Sequence, residues 1–504
     1  AGSAGEAGAR QHHWVGAKDE PLPGGAVCTE HFLSVPLDHH QRAGGGAAAA
    51  AAAGRDGGGE RRITVFAREV VLAKNKERSA DLPVLIYLQG GPGFPSARPR
   101  SGKGGWLGHA LKTHRVLLLD QRGTGRSAPV TAQALEGLSP EEQAAYLAHF
   151  RADSIVRDCE LLRAALGAEK VDILGQSFGG FCALTYLSFF PSSLGSVYIT
   201  GGLGPVLRSA EEVYRSTYAR VLERNRRYYL RYPGDVAKVR DIVAFLEDSG
   251  GVDLPRGGRL TARRFLSLGL MLGSGDGIEA MHALVEDAFA KRVLPAAGDG
   301  EAGRGGAGEA ERRELDYRFL AAVEDAQSFD TNPIFWLLHE AIYSCGRQRP
   351  DANASRWAAH RVLQEEPFRG AFDYRAALAA RPGAGEDGPP VMFTGEMVYP
   401  WFAEDFATLR ALAPCAELLA AKRDWPPLYD AERLRATAVP VAAAVYYEDM
   451  YVERAFCEET AALLGDACRV WVTNEYQHSG VRDDGARVLE ALMGMARGEV
   501  NIPS

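Results

Sequence analysis

The sequence is poor in cysteine, and its few cysteines are not arranged for a disulfide framework or a metal site. Seven cysteines are scattered over 504 residues, their number is odd, and no C-x-x-C pair occurs. Disulfide-rich secreted domains and structural zinc sites need paired or closely spaced thiols. We therefore expect no metal and free thiols in a reducing compartment, the cytoplasm. An organelle is the alternative, reached through a targeting segment since removed, because the chain does not begin with Met.

The sequence also lacks an excess of basic residues and any long run of consecutive apolar residues. It has 57 Lys and Arg against 65 Asp and Glu, which gives a formal net charge of −8. Nucleic acid binding depends on basic groups that neutralise phosphates, and a membrane-spanning helix needs about 20 predominantly apolar residues. We therefore expect no nucleic acid partner and no contact with a membrane. The sequence leaves the oligomeric state open.

What the sequence does contain is an alternation of strand and helix patterns that stops and later resumes. Short apolar segments rich in β-branched residues, typical of buried parallel strands, alternate with helical ones as far as residue 203. Two more strand patterns, at 439–447 and 469–473, precede a closing helix. The pattern predicts an α/β fold with a mostly parallel sheet, split by a long helical insertion. The first two strands are predicted to form an antiparallel pair.

The composition predicts where the chain divides. The predicted units are a flexible N-terminal segment (1–28), a first part of the sheet domain (29–204), a helical cap (205–437) and a second part of the sheet domain (438–504). Segments rich in Gly, Ala and charge near 295–312 and 380–390 are expected to be disordered insertions within the cap. A similar segment at 43–60 is expected to be a flexible hairpin insertion.

The most informative motif is G-x-S-x-G at residues 175–179. Apolar β-branched residues precede it and a buried helical pattern follows it. A serine on a sharp strand-to-helix turn exposes its hydroxyl at the edge of the sheet. The context predicts that Ser177 is a catalytic nucleophile.

A serine nucleophile needs a base that takes its proton and an acid that orients the base. In this arrangement both should follow the serine, each after a late strand. His478 follows the last predicted strand and is the predicted base. Asp449 follows the preceding strand and is the predicted acid. Its neighbour Glu448 remains the competing candidate, because adjacent residues at a strand end point in opposite directions.

The oxyanion of the tetrahedral intermediate requires backbone N–H donors. One donor is expected from Phe178, directly after the nucleophile at a helix N-terminus. The other is expected from Gly90 or Gly91, in the Q-G-G-P-G loop that follows the strand at 83–88.

Three ordered motifs now resemble those of proline iminopeptidases, also called prolyl aminopeptidases. Residues 89–93 (Q-G-G-P-G) are similar to the H/Q-G-G-P-G motif of that family, and residues 120–127 (D-Q-R-G-T-G-R-S) to its D-Q-R-G-x-G-R-S motif. The serine motif is the third. We interpret Asp120 and Arg122 as a structural charge pair that ties the glycine-rich turn to the sheet. The helical cap resembles that of the larger, longer-capped members.

The resemblance implies an α/β-hydrolase fold and a serine peptidase that needs no metal or cofactor. In this family, glutamates of the cap bind the free α-ammonium of the substrate. The candidates are Glu340, in a mostly apolar helix where a lone carboxylate is costly, and Glu396, in a stretch rich in aromatic residues. The candidates for the apolar pocket of a prolyl ring are the aromatic residues Phe335, Trp336, Tyr399, Trp401 and Phe402, with plain cap core as the alternative. The glutamate that smaller members carry soon after the sheet has no counterpart at 213–218.

We therefore predict a serine aminopeptidase that releases an N-terminal residue, preferentially proline, from peptides through an acyl-enzyme. An esterase or another small-molecule hydrolase is the first alternative, since the fold alone does not fix the substrate. A non-catalytic binding protein with the same fold is the second.

Overall fold

A computed structural model describes residues 14–16, 19–40, 61–291, 313–345, 353–380 and 388–500. The low-complexity segment at 295–312 and the hairpin insertion at 43–60 lie outside these residues, as does most of 380–390. The prediction that residues 1–28 form one flexible segment is wrong in part. Glu20–Leu22 and the first residues of Ala26–Pro36 are strands, because they pair with each other and with the sheet.

Twelve strands occur among the described residues, and ten of them form one sheet. The strands are β1 Trp14–Gly16, β2 Glu20–Leu22, β3 Ala26–Pro36, β4 Arg62–Leu72, β5 Val84–Leu88, β6 Arg115–Asp120, β7 Val171–Gln176, β8 Leu194–Thr200, β9 Val252–Asp253, β10 Arg259–Leu260, β11 Val441–Tyr446 and β12 Cys468–Thr473. The two remaining strands, β9 and β10, form a small separate hairpin.

The order of strands in the large sheet is β1-β3-β4-β6-β5-β7-β8-β11-β12, with β2 also paired to β3. Pairing is parallel from β6 through β12. β3 and β4 form an antiparallel pair, as predicted, and β4 is antiparallel to β6. The prediction of a mostly parallel central sheet is therefore confirmed. Since β7 lies in the middle of the sheet, a residue at its carboxyl end is surrounded by neighbouring strands.

The helices cover both faces of the sheet and fill the interval between β8 and β11. The α-helices are α1 Gly105–Ala110, α2 Pro140–Leu147, α3 Ala152–Ala165, α4 Phe178–Phe189, α5 Ala210–Arg231, α6 Asp235–Asp248, α7 Ala262–Leu266, α8 Gly277–Glu286, α9 Tyr317–Ala326, α10 Pro333–Leu338, α11 Ala358–Leu363, α12 Phe368–Ala371, α13 Tyr374–Ala379, α14 Phe402–Asp405, α15 Ala413–Ala421, α16 Ala431–Arg435, α17 Arg454–Leu464, α18 Gly480–Asp483 and α19 Gly485–Ala496. Short 3₁₀ helices include Ala73–Asp81, Ser267–Gly273 and Glu340–Tyr343.

Two hydrophobic cores lie on opposite faces of the sheet. Along β7, Ile173 belongs to the core under α3, α4 and α17, while Leu174 belongs to the core under α1 and α19. Alternate side chains of a strand point to opposite faces, so a strand covered on both sides is apolar at every position. The first core continues into the helices between β8 and β11, which we call the cap. Among the described residues, no helix combines the length and the apolar character that crossing a bilayer requires.

Candidate active site

Ser177 lies on a strained turn between β7 and α4. Its φ of +54° is in a region that non-glycine residues rarely adopt, which indicates a backbone conformation imposed by its surroundings. The glycines on either side are required by packing. A Cβ on Gly175 would lie 2.4 Å from the Gly179 carbonyl oxygen, and a Cβ on Gly179 would lie 2.0 Å from that of Leu88. The turn therefore packs directly against β5 and the start of α4.

His478 and Asp449 form a buried pair. Nδ1 of His478 lies 2.7 Å from Oδ2 of Asp449, and both side chains are almost fully buried. The other carboxylate oxygen of Asp449 accepts hydrogen bonds from the amides of Tyr451 and Val452, at 2.8 and 3.1 Å. A carboxylate held in this way accepts a hydrogen bond from Nδ1–H of the histidine. Nε2 is then the ring nitrogen that can act as the base. Glu448, the competing acid, instead pairs with a guanidinium of α5, that of Arg227.

Ser177 and His478 line the same cavity, of about 490 Å³, between the sheet and the cap. The cavity is lined by a mixture of apolar and polar side chains. This size and character fit a small-molecule or peptide site. The lining residues besides the serine and the histidine include Gly90, Gly91, Phe94, Gln176, Leu270, Met271, Phe329, Phe335, Glu396, Tyr451 and Arg482.

The predicted oxyanion donors lie beside the nucleophile. A Cβ on Gly90 would lie 2.8 Å from the Cβ of Ser177, so the backbone at residue 90 passes directly alongside the serine. Phe178 is the first residue of α4, where an amide has no acceptor within its own helix. The glycine loop is held from behind, because Gln121 donates its side-chain amide to the carbonyl of Gln89 at 2.9 Å. Gly91 also lines the cavity.

Of the two predicted cap glutamates, only Glu396 reaches the cavity. Its carboxylate lines the cavity together with Ser177 and His478, and its side chain is 14% exposed. It lies on the cap side, in a segment without regular secondary structure. A carboxylate is thereby placed on the cap side of the cavity that holds Ser177 and His478.

The prediction that Glu340 binds substrate is contradicted by its position. Its two carboxylate oxygens accept hydrogen bonds from the amides of Ala358 and Ala359, at 3.0 and 2.9 Å. These are the first amides of α11, which have no acceptor within that helix. Burial raises the pKa of Glu340, and the two amide donors oppose that effect. The carboxylate in an apolar helix therefore caps another helix and does not face the cavity.

The predicted pocket aromatics Tyr399 and Trp401 also lie elsewhere. They stack on each other with ring centroids 5.1 Å apart and line a second cavity, within the cap. The Tyr399 hydroxyl is hydrogen-bonded to that of Tyr218 at 2.9 Å, inside the cap core. Of the predicted pocket aromatics, Phe335 does line the active-site cavity, together with Phe94, Phe329 and Tyr451.

Asp120 and Arg122 are structural, but they do not form the expected pair. The fully buried guanidinium of Arg122 makes two hydrogen bonds to Asp158 of α3, at 2.7 and 2.6 Å. Asp120 accepts from the amide of Arg126 at 3.0 Å, and burial raises the pKa of its carboxyl group. Asp120 therefore stabilises the turn after β6 from within, and Arg122 joins that turn to α3.

Sequence reasoning missed several residues of the cavity. Phe94 follows the glycine loop directly, and Arg482 lies one helical turn after His478, so both could have been found from their spacing to a motif. Tyr451 packs edge-on against the His478 ring, with centroids 4.6 Å apart. Within the described ranges, no three His, Cys, Asp or Glu side chains cluster closely enough to hold a metal ion.

Comparisons with known proteins agree with this geometry. A family model described as the alpha/beta hydrolase fold matches residues 83–235. A proline iminopeptidase of Aeromonas sobria is 45% identical over 474 residues, which cover 94% of this chain and 97% of the relative. A proline iminopeptidase of Aspergillus aculeatus, aneH, is 32% identical over 95% of this chain and 96% of its own length. The similarity to these two relatives therefore extends through the cap as well as the sheet.

Proposed function

The chain belongs to the proline iminopeptidase family of α/β-hydrolases, and we propose that it is a serine aminopeptidase that releases an N-terminal residue, preferentially proline, from peptides. The observation that carries the proposal is the position of Glu396. A single carboxylate shares one cavity with Ser177, His478 and the glycine loop. An exopeptidase needs such a negative charge at a fixed distance from its nucleophile, because the charge pairs with the free α-ammonium and disfavours blocked substrates.

The first half of the reaction forms an acyl-enzyme. Ser177 Oγ attacks the carbonyl carbon of the first residue, and Nε2 of His478 takes the serine proton. The amides of Phe178 and of Gly90 or Gly91 donate hydrogen bonds to the oxyanion that forms. The bond to the leaving amine then breaks as His478 returns the proton to its nitrogen. The negative charge of Asp449 stabilises the imidazolium throughout.

The second half releases the amino acid. A water molecule attacks the ester carbonyl while Nε2 of His478 takes one of its protons. The tetrahedral intermediate collapses, the bond to Ser177 Oγ breaks, and the histidine returns the proton to the serine. The ammonium of the departing residue is paired with Glu396 in both halves. The aromatic side chains of Phe94, Phe329 and Phe335 support a preference for an apolar side chain, such as the three methylene groups of proline.

The cysteines support a reducing compartment, and we propose the cytoplasm, with an organelle as the alternative. Six of the seven cysteines are buried. Burial raises the pKa of the Cys159 and Cys182 thiols well above the ordinary value. Such thiols are poor nucleophiles, which suits a structural role in the core.

The test is a comparison of three substrates: prolyl β-naphthylamide, its N-acetylated form and p-nitrophenyl acetate. We expect hydrolysis of the free-amine substrate and of the ester, with little turnover of the blocked amide. Ser177→Ala is the control, and it should abolish all serine-dependent hydrolysis. Turnover of the ester alone would indicate an esterase with the same fold. Failure of a fluorophosphonate probe to label the folded wild-type protein would favour the non-catalytic alternative.

A further inference from the structure

A buried histidine lies directly behind the carboxylate that faces the substrate. His339, at the C-terminal end of α10, has a side chain only 1% exposed. Its Nε2 atom lies 3.7 Å from Oε1 of Glu396. The ring packs against Phe335 of the same helix, with centroids 4.6 Å apart, and Phe335 in turn lines the cavity. His339 therefore contacts the site from the cap side without lining it.

A tyrosine on a different helix contacts the other ring nitrogen of His339. The hydroxyl of Tyr214, on α5, lies 3.1 Å from Nδ1 of His339. If the phenol donates to Nδ1, the ring proton is on Nε2 and points toward the Glu396 carboxylate. The reverse arrangement would place the Nε2 lone pair against a negative charge, which is repulsive. The geometry therefore favours a ring whose Nε2–H faces Glu396.

This arrangement suits a carboxylate that must bind a cation. A charged group on an apolar wall needs a polar neighbour to define its direction, or it turns toward bulk water. At 3.7 Å the Nε2–H of His339 does not form a direct hydrogen bond with Glu396, but it attracts Oε1 and so favours one direction of the carboxylate.

We propose that His339 is a positioning residue that aims the Glu396 carboxylate at the α-ammonium of the substrate, and that Tyr214 holds its ring in the required tautomer. This inference rests on the proposed function. It predicts that selectivity for a free N-terminus depends on two residues that never touch the substrate.

The test measures kcat and KM for prolyl β-naphthylamide, and kcat/KM for p-nitrophenyl acetate, which has no ammonium. His339→Leu removes the donor and should raise KM for the prolyl substrate about tenfold with little change in kcat. His339→Gln retains an N–H donor and should recover part of that loss. Tyr214→Phe should raise KM about threefold. Tyr343→Phe is the matched control, because it removes a buried phenol near His339 that makes no hydrogen bond to the imidazole.

Two further results decide the matter. In a Glu396→Gln background, His339→Leu should add nothing to KM, because the group it positions is gone. If His339→Leu lowers kcat/KM equally for the prolyl substrate and the ester, the role of His339 is packing alone and the inference is refuted. An unchanged KM for the prolyl substrate in His339→Leu would also refute it. Either outcome leaves the proposed function intact if the wild type hydrolyses the prolyl substrate. A wild type that hydrolyses only the ester would refute both.

Discussion

The two cap glutamates provide the sharpest test of the site, because the same substitution should have opposite effects at the two positions. Glu340→Gln removes a buried cap from α11, whereas Glu396→Gln removes a charge from the cavity wall. The first should reduce stability and spare activity. The second should reduce activity toward free-amine substrates and spare stability.

The magnitudes follow from the contacts. A hydrogen bond to a charged group contributes about 1.5–3 kcal/mol, and Glu340 accepts two from backbone amides. Glutamine keeps one acceptor oxygen and turns its amide toward the second donor. We therefore expect the free energy of unfolding to fall by about 2 kcal/mol. Loss of the ion pair at Glu396 should lower kcat/KM for prolyl β-naphthylamide about 10- to 150-fold, from the same range of energies.

The stability effect at Glu340 should depend on pH. Burial raises the pKa of Glu340 above its ordinary value of 4.5, so the folded protein holds this proton more tightly than the unfolded chain. The stabilisation from Glu340 is therefore greatest below 4.5 and declines as pH rises through the folded pKa. Glutamine does not titrate. The stability difference between wild type and Glu340→Gln should narrow as pH is raised from 4.5 toward neutral.

The assays are urea denaturation followed by tryptophan fluorescence, and the ratio of kcat/KM for prolyl and N-acetylprolyl β-naphthylamide. Activity is measured on protein shown to be folded. The reasoning is refuted if Glu340→Gln loses selectivity for the free amine while Glu396→Gln retains it. It is also refuted if neither substitution changes that ratio.

Three further predictions concern the sheet domain. Asp449→Asn should lower kcat about 10³- to 10⁴-fold by favouring the wrong tautomer of His478, whereas Glu448→Gln should change kcat little. Equal losses of kcat in steady-state assays of the two variants would contradict the assignment of Asp449 as the acid. Gly90→Ala should lower kcat about 100-fold with a smaller effect on the thermal midpoint, because the added Cβ would lie 2.8 Å from the Cβ of Ser177. A variant with the kcat of the wild type would show that this loop does not supply the oxyanion donor. Arg482→Gln should lower kcat/KM for prolylglycine more than for prolyl β-naphthylamide, because Arg482 lies in the same cavity as His478 and can pair with the carboxylate of the leaving amino acid. An unchanged ratio of the two kcat/KM values would show that the guanidinium does not contact the leaving group.

The position of the nucleophile could be predicted because its signals are local. A strand, a turn with two small residues and a buried helix all lie within 20 consecutive positions, and each has its own pattern of side chains. The base and the acid follow from one topological fact. Parallel strands end at the same edge of a sheet, so residues after β7, β11 and β12 must converge there. Short-range patterns therefore predict that Ser177 and the His478–Asp449 pair lie at one edge of the sheet.

The choice between Asp449 and Glu448 was open in the sequence for an equally physical reason. Adjacent residues after a strand point in opposite directions, and only the path of the chain beyond β11 decides which one faces inward. In the structure, the amides of Tyr451 and Val452 turn back onto the Asp449 carboxylate. No motif in the sequence predicts that turn.

The cap shows where sequence reasoning fails. A carboxylate in an apolar helix is costly, and the sequence therefore suggested that Glu340 has a functional task. The inference of a special role was sound, but the role is structural, because the compensating donors are backbone amides 18 and 19 positions later. Backbone amides have no sequence signature. An isolated buried glutamate thus has two physical explanations, and composition does not separate them.

The prediction of the aromatic pocket residues was limited for a related reason. Tyr399, Trp401 and Phe335 are all aromatic residues in the helical insertion, yet Tyr399 and Trp401 line a cavity inside the cap while Phe335 lines the active-site cavity. The cap contains short α-helices and 3₁₀ turns whose mutual angles are set by packing, so no common edge brings chosen side chains together. In the sheet, topology converts order along the chain into position in space. In the cap, only the packed structure does so, which is why substrate selectivity is the part of this protein least visible in its sequence.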